Sequence, residues 1–217
     1  MKKILFILPD ITNIGGVERV VTILSNELSV HLNVNISLAV KKSTDQPAFH
    51  LNSGIKVFEL PNSSLSFLLS VKELIKSFDW DMIVIHSMNK LTISLISIGC
   101  RHHNMWSYEH VSYVKNPIYV KFLKKILYKH LSGVIVITSN DKRNYTNFSP
   151  RVVKINNPSP LEICESVYNV TSKNIVSIGR LTEQKGFDFL LDAWGRIYKK
   201  YPDWSLKIWG MVCLKII

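Results

Sequence analysis

Asp81-Met82-Ile83-Val84-Ile85-His86 and Gly133-Val134-Ile135-Val136-Ile137-Thr138 decide the fold. Each holds four consecutive apolar residues, mostly β-branched, without the polar alternation of a half-solvated strand. Such runs suit strands buried on both faces of a parallel sheet. Working outward, similar short runs recur at Lys3–Leu8, Asn33–Val40, Ile55–Leu60, Asn104–Tyr108 and Val152–Ile155. Between them lie segments of helical period at Gly16–Val30, Leu65–Phe78, Lys90–Gly99, Pro117–His130 and Ser139–Asn147. Strands alternating with helices predict an α/β protein built on a Rossmann-like, doubly wound parallel sheet.

The pattern breaks at Asn156-Asn157-Pro158-Ser159-Pro160, where two prolines among small polar residues read as a boundary. A fresh βαβ unit follows, with strand Asn174–Ile178, a helix starting at Gly186 and strand Ser205–Trp209. The sequence therefore divides into an N-terminal Rossmann-like domain (1–156), a linker (157–172) and a C-terminal domain (173–217). A unit of about 45 residues cannot bury both faces of its own two-stranded sheet. The expectation is a second domain that is begun and truncated.

The 217 residues carry 27 Lys+Arg against 16 Asp+Glu, a formal net charge of +11. With 47% hydrophobic and 20% charged residues the chain falls outside the disordered class. Cys100, Cys164 and Cys213 are far apart and form no CxxC, which argues against a disulfide framework or zinc knuckle. The apolar runs fall short of the roughly 20 residues a bilayer requires. Met1-Lys2-Lys3 before Ile4–Leu8 imitates a signal peptide, but Pro9-Asp10 ends the run without a small-residue cleavage site. The expected location is the cytoplasm. The positive excess asks for an anionic membrane face, an anionic substrate or nucleic acid. Nucleic acid fits worst, because the lysines are dispersed and no RNP-like, zinc-finger or glycine-arginine motif is present.

Three places hold residues suited to chemistry. Asn13-Ile14-Gly15-Gly16-Val17-Glu18-Arg19 follows the first strand and opens the first helix. There two glycines let a ligand approach the backbone, and free N–H groups face an anion. The spacing is not GxGxxG, no acidic residue ends the second strand suitably, and a plain tight turn reads equally well. Trp106-Ser107-Tyr108-Glu109-His110 lies at the carboxyl end of a central strand, where open parallel sheets bind ligands. His110 suits hydrogen bonding or acid/base work near neutral pH, against the alternative of a structural histidine. His86, ending another strand, follows the same logic. In Ser177-Ile178-Gly179-Arg180-Leu181-Thr182-Glu183-Gln184-Lys185-Gly186-Phe187-Asp188, two cations five apart at a strand end suit a diphosphate. A surface loop with two ordinary basic residues is the alternative. No His or carboxylate pair has metal-ligand spacing.

The stretch Asn174–Gly210, with Gly179-Arg180-Leu181, Lys185-Gly186-Phe187-Asp188, Ala193-Trp194 and Tyr201-Pro202-Asp203-Trp204, resembles the start of the donor domain in retaining glycosyltransferases of family 4. Gly15-Gly16-Val17-Glu18-Arg19, Glu109-His110 and Asn157-Pro158 match that family's amino-terminal domain in order and spacing. The resemblance implies two Rossmann-like domains facing a cleft (GT-B type), an acceptor on the first and a nucleotide-sugar on the second, with no metal and no cofactor. It implies that Arg180 and Lys185 contact the donor diphosphate and that Gly15-Gly16 approaches the phosphates or sugar. It also implies that His110 bonds the sugar near the reacting carbon as the catalytic residue, with Glu109 a further sugar contact.

The resemblance thus implies sugar transfer from a nucleotide-sugar to a glycan or lipid-linked acceptor in bacterial surface polysaccharide synthesis, such as lipopolysaccharide or capsule. The family's later glutamates have no counterpart, so the chain as it stands is expected to be impaired. One codon set for Met211-Val212-Cys213-Leu214-Lys215 spells the family's Asp-Gly-x-Pro-Glu loop in another frame, so a frameshift stands beside natural truncation or a cut end as the expected origin of that stretch. The rival readings are a non-catalytic remnant or binding module, and a nucleotide-sugar epimerase or phosphorylase of the same fold.

In Pro117–His130, Lys121, Lys125 and Lys129, with Lys124 beside them, oppose Ile118, Phe122, Ile126 and Leu127. The commoner outcome for such a helix is that its apolar stripe packs on the sheet and its lysines face water. The alternative is peripheral attachment to the inner face of the plasma membrane.

Overall fold

The computed structural model describes residues 1–32, 34–87, 90–159, 169 and 171–210. The chain divides into two compact units, Met1–Glu162 and Ile163–Ile217, each described by itself. Residues 211–217, on which the frameshift reading rests, lie outside the described residues, as do Cys164 and Cys213; Cys100 is buried and free.

The first unit runs β1 (Lys2–Ile7), α1 (Gly16–His31), β2 (Val34–Lys41), β3 (Lys56–Leu60), α2 (Ser64–Ser77), β4 (Met82–Ser87), α3 (Leu91–Ser97), β5 (Met105–Glu109), α4 (Ile118–Leu127), β6 (Gly133–Val136), α5 (Ser139–Thr146) and β7 (Val152–Lys154). Its seven strands form one sheet in the order β3-β2-β1-β4-β5-β6-β7, every neighbouring pair parallel. The order reverses at β1/β4, which makes the sheet doubly wound. Both faces are covered, as the apolar runs require. One core joins Leu5, Ile7, Ile83, Ile85, Val134 and Val136 to α2–α5. The other joins Phe6, Leu8, Val84, Trp106, Tyr108 and Ile135 to Val17 and Val21 of α1.

Local signals set the element ends. Ser63 caps α2 by accepting from the Ser66 N–H, and Thr138 caps α5 by accepting from the Asp141 N–H. Each satisfies an N–H that the first helical turn leaves without a partner. Gly133 opens β6 directly opposite Trp106, whose indole ring lies where a Cβ would stand.

The second unit holds β8 (Asn174–Ile178), α6 (Phe187–Ile197) and β9 (Ser205–Trp209), with β8 and β9 parallel. Ile178, Phe189 and Trp209 remain exposed, as expected where two strands and one helix have too little partner surface.

The helix over Pro117–His130 forms, but its rotation reverses the expected burial. Val120 and Lys124 face inward, whereas Ile118, Phe122 and Ile126 are exposed and Leu127 is only half-buried. The reason is electrostatic. Lys124 ion-pairs inside the core with Glu109 at 2.6 Å, and a helix that turns residue 124 inward turns 118, 122 and 126 outward.

Gly133→Ala is expected to displace the Trp106 ring and to lower stability by about 1–3 kcal/mol. Urea unfolding followed by tryptophan fluorescence checks this, and an unchanged midpoint would contradict the tight Gly133–Trp106 packing.

Candidate functional site

The carboxyl ends of β1, β4 and β5 meet at the reversal point, where open parallel sheets place ligands. His86 sits near the end of β4 and pairs in register with Tyr108 of β5; His110 follows β5 by one residue. His86 Nδ1 and His110 Nε2 are 3.1 Å apart, and the two rings stack at 5.3 Å with 20° between their planes. Tyr108 stacks on His110 at 4.5 Å, and Phe6 meets His86 edge-on at 4.8 Å.

Both imidazoles are neutral at neutral pH. Burial lowers His110 to about 4, the Glu109 charge beside it pulling the other way. Burial, then His110 itself, hold His86 well below the ordinary histidine range. Nε2 of His86 is buried without a hydrogen-bond partner among the described residues. A bare acceptor there costs less than a stranded N–H, so His86 Nδ1–H donates to His110 Nε2. His110 then carries its own proton on Nδ1, as a neutral donor for a ligand. The acid/base role near neutral pH that its residue type suggested does not fit this environment.

Glu109, one residue earlier, points the other way. Side chains alternate along a strand, so residues 109 and 110 leave β5 on opposite faces. The Glu109 carboxylate is buried and fully engaged. It accepts from Lys124 Nζ (2.6 Å), Tyr128 Oη (2.6 Å), Ser107 Oγ (2.6 Å) and Tyr145 Oη (3.0 Å). Thr92 Oγ1 meets Ser107 Oγ at 2.7 Å and extends the network to α3. Burial first, and the Glu109 charge second, raise the Tyr128 and Tyr145 phenols far above the ordinary range, which keeps both as donors. Glu109 therefore has no free oxygen for a sugar, and the expected contact is replaced by a positioning role. The network pins the end of β5 to α3, α4 and α5, and so fixes where His110 emerges.

Gly15 is the N-cap of α1 in ordinary extended geometry, and no side chain caps the helix from that position. The carboxylate of Glu18 folds back against Gly15, while the space where Gly16 would carry a Cβ is open. Glu18 is buried, which raises its pKa; a hydrogen bond from its own backbone N–H opposes the rise and Asp10 adds to it. An anion arriving at this helix start has to displace Glu18. Asp10 orders the approach by accepting from the Thr12 N–H and hydroxyl and the Asn13 amide.

Two adjoining clefts at the same sheet edge share Pro9 and Lys41. One of about 310 Å³ adds Asp10, Lys42, Ser43 and Asn62; the other, of about 210 Å³, adds Phe67, Lys90 and Leu91. The lysines come from two separate segments, 41–42 and 90, and carried no signal in the sequence. His86 and His110 were each legible as residues at a strand end, but their pairing with each other carried no signal in the sequence. At the boundary, Tyr108 Oη lies 3.2 Å from Asn157 Oδ1.

In the second unit, Arg180 follows β8, and Lys185 closes a 3-10 turn at Glu183–Lys185. Gly186 holds the left-handed conformation (φ 63°, ψ 33°) that admits the chain into α6, a geometry that glycine adopts without strain. The Lys185 stem passes within 3.6 Å of where a Gly179 Cβ would stand, which returns it to the end of β8. Both cations are exposed, and neither is in an ion pair among the described residues. A hollow of about 320 Å³ beside this loop is lined by Leu181, Thr182, Glu183, Phe187 and Asp188, without either cation.

No protein-family model matches the sequence. Over 97% of its length the chain is 27% identical to an uncharacterized glycosyltransferase of Haemophilus influenzae. Over the same share it is 30% identical to the amylovoran biosynthesis glycosyltransferase AmsD of Erwinia amylovora. It spans 62% of the length of each. Among solved structures, the sucrose-phosphate synthase of Thermosynechococcus elongatus matches with a TM-score of 0.66 at 12% identity, covering 98% of this chain and 71% of that one. HepE of Anabaena, in complex with UDP and glucose, matches with a TM-score of 0.60 at 17% identity, covering 99% and 62%. The fold is GT-B-like. The curated relatives are glycosyltransferases, and one of them serves polysaccharide biosynthesis.

Lys124→Met is expected to cost about 3–5 kcal/mol, because it strands the Glu109 charge inside the core. Lys124→Met with Glu109→Leu should recover much of that loss in urea unfolding; equal losses in both variants would contradict a buried ion pair.

For the histidines the folded pKa lies below the unfolded one, so between pH 6.5 and about 4 the unfolded chain binds more protons. Their contribution to stability is therefore present above pH 6.5 and falls as pH drops, by about 1.4 kcal/mol per pH unit for each histidine. His110→Gln should flatten the pH dependence in that window by about one proton. Urea midpoints between pH 7 and 5 measure it, and an unaltered slope would contradict a desolvated His110.

Proposed function

We propose that the chain is part of a retaining, family 4 type glycosyltransferase. It would transfer a sugar from a nucleotide-sugar to a glycan or lipid-linked acceptor in bacterial surface polysaccharide synthesis. The observation that carries the reading is the loop from Gly179 to Gly186, which follows β8 and carries two exposed cations, Arg180 and Lys185, neither of them in an ion pair among the described residues. A planar guanidinium and an ammonium at one strand end suit a diphosphate and the negative charge that develops on a departing nucleotide. The glycosyltransferase relatives support the reaction class, AmsD supports polysaccharide as the product, and HepE makes UDP the first nucleotide to test.

In this reading His110 donates its neutral Nδ1–H to a hydroxyl of the transferred sugar and is held in that tautomer by His86. The clefts that share Lys41 and Pro9 receive the acceptor, their lysines suiting a phosphate-linked glycan. Neither metal nor cofactor is required, so chelation should leave the reaction unaffected. Because the chain spans 62% of each curated relative, turnover is expected from a protein of the relatives' length. Nucleotide binding is the readout suited to the chain itself.

Calorimetric titration with UDP, GDP and ADP tests the proposal. One nucleotide should bind, and Arg180→Ala with Lys185→Ala should weaken it at least tenfold, about 1.4 kcal/mol. Binding that ignores both substitutions would remove the diphosphate assignment. Absence of binding by every nucleotide would favour the non-catalytic binding module.

A further inference from the structure

We propose that α4 is a docking surface for an anionic membrane. The observation is the reversed helix. Ile118 is 85% and Phe122 63% exposed, and with Ile126 they form a stripe along the outer face at i, i+4 and i+8. Tyr119 and Leu123 widen it. This exposure is imposed from inside the protein, because the Lys124–Glu109 pair fixes the rotation of the helix and no small adjustment hides the stripe without breaking that pair.

Charge surrounds the stripe with one sign. Lys115 precedes the helix, Lys121 and Lys125 flank it and Lys129 follows it, none of them in an ion pair among the described residues. The sequence has no acidic residue between Glu109 and Asp141. The Glu109 carboxylate is consumed in the core. Asp141 is engaged by the Ser112 hydroxyl, the Tyr113 N–H and the Thr138 hydroxyl. Among the described residues no carboxylate pairs with Lys115, Lys121, Lys125 or Lys129.

An apolar stripe within a cationic rim is the arrangement that lies in a lipid interface, with side chains in the acyl boundary and ammonium groups among anionic headgroups. A second copy of the chain fits worse, since a two-fold contact would set lysine against lysine. The surface also adjoins the clefts. Lys90, which lines one of them, lies 5.0 Å over the Tyr119 ring. Among the described residues no helix is long and apolar enough to cross a membrane, so attachment through this surface would be peripheral.

The proposal does not rest on the donor reading, and its test contains no nucleotide. The full chain is sedimented with vesicles of phosphatidylcholine, alone or with about one-third phosphatidylglycerol. Partitioning is expected to rise at least tenfold with the anionic lipid and to fall when salt goes from about 0.1 to 0.5 M. Ile118→Ser with Phe122→Ser should abolish it. Lys115→Gln, Lys125→Gln and Lys129→Gln together should remove the preference for anionic lipid. All five positions are exposed, and circular dichroism confirms that the variants keep the fold. The proposal is overturned if the unsubstituted chain shows no preference for anionic vesicles, or if the folded variants bind as it does. Self-association that Phe122→Ser abolishes, without vesicle binding, would assign the face to a second copy instead.

Discussion

The buried ion pair between Glu109 and Lys124 is the constraint on which the rest of the first unit depends. A carboxylate and an ammonium withdrawn from water are tolerable only when each is met by the other and the remaining lone pairs are filled. Here Ser107, Tyr128 and Tyr145 complete the carboxylate. The requirement reaches in two directions. Toward the sheet, it anchors the last residue of β5 to the helices beneath, so that the following residue, His110, leaves at a fixed point beside His86. Toward the surface, it sets the rotation of α4 and brings three large apolar side chains into contact with water.

The two consequences share a logic. Glu109 and His110 are neighbours in sequence and lie on opposite faces because side chains alternate along a strand. One end of that dipeptide is committed to structure and the other stands at the carboxyl end of the sheet beside His86. Stacking against Tyr108 and burial beside His86 keep His110 uncharged, so it offers a directed N–H and no positive charge. Positive charge is supplied elsewhere: by Arg180 and Lys185 in the second unit, and in the first by lysines that line clefts and rim a helix.

Most of the architecture was legible in the residues. The apolar runs at 82–85 and 134–136 lie inside strands of a sheet with both faces covered, and β8 and β9 keep the bounds read from sequence. Placement was legible for candidate residues at a strand end, as with His110, Arg180 and Lys185. It was illegible where residues distant in sequence converge. Lys41 and Lys90 share a cleft only because β2 and the start of α3 open on the same edge of the sheet.

The sequence by itself determined the order of strands and helices along the chain and the glycines that shape the Arg180–Lys185 loop. These follow from local periodicity and backbone preference, which each segment carries alone. Only the tertiary structure decided which face of α4 meets water, that Glu109 turns inward and that His86 backs His110. Those outcomes depend on one buried charge finding its partner fifteen residues away and on two strands pairing in a particular register. The helical periodicity of 118–127 favours burying its apolar stripe. Leaving Glu109 unpaired in the core costs more than leaving Ile118 and Phe122 in water, and the helix turns accordingly.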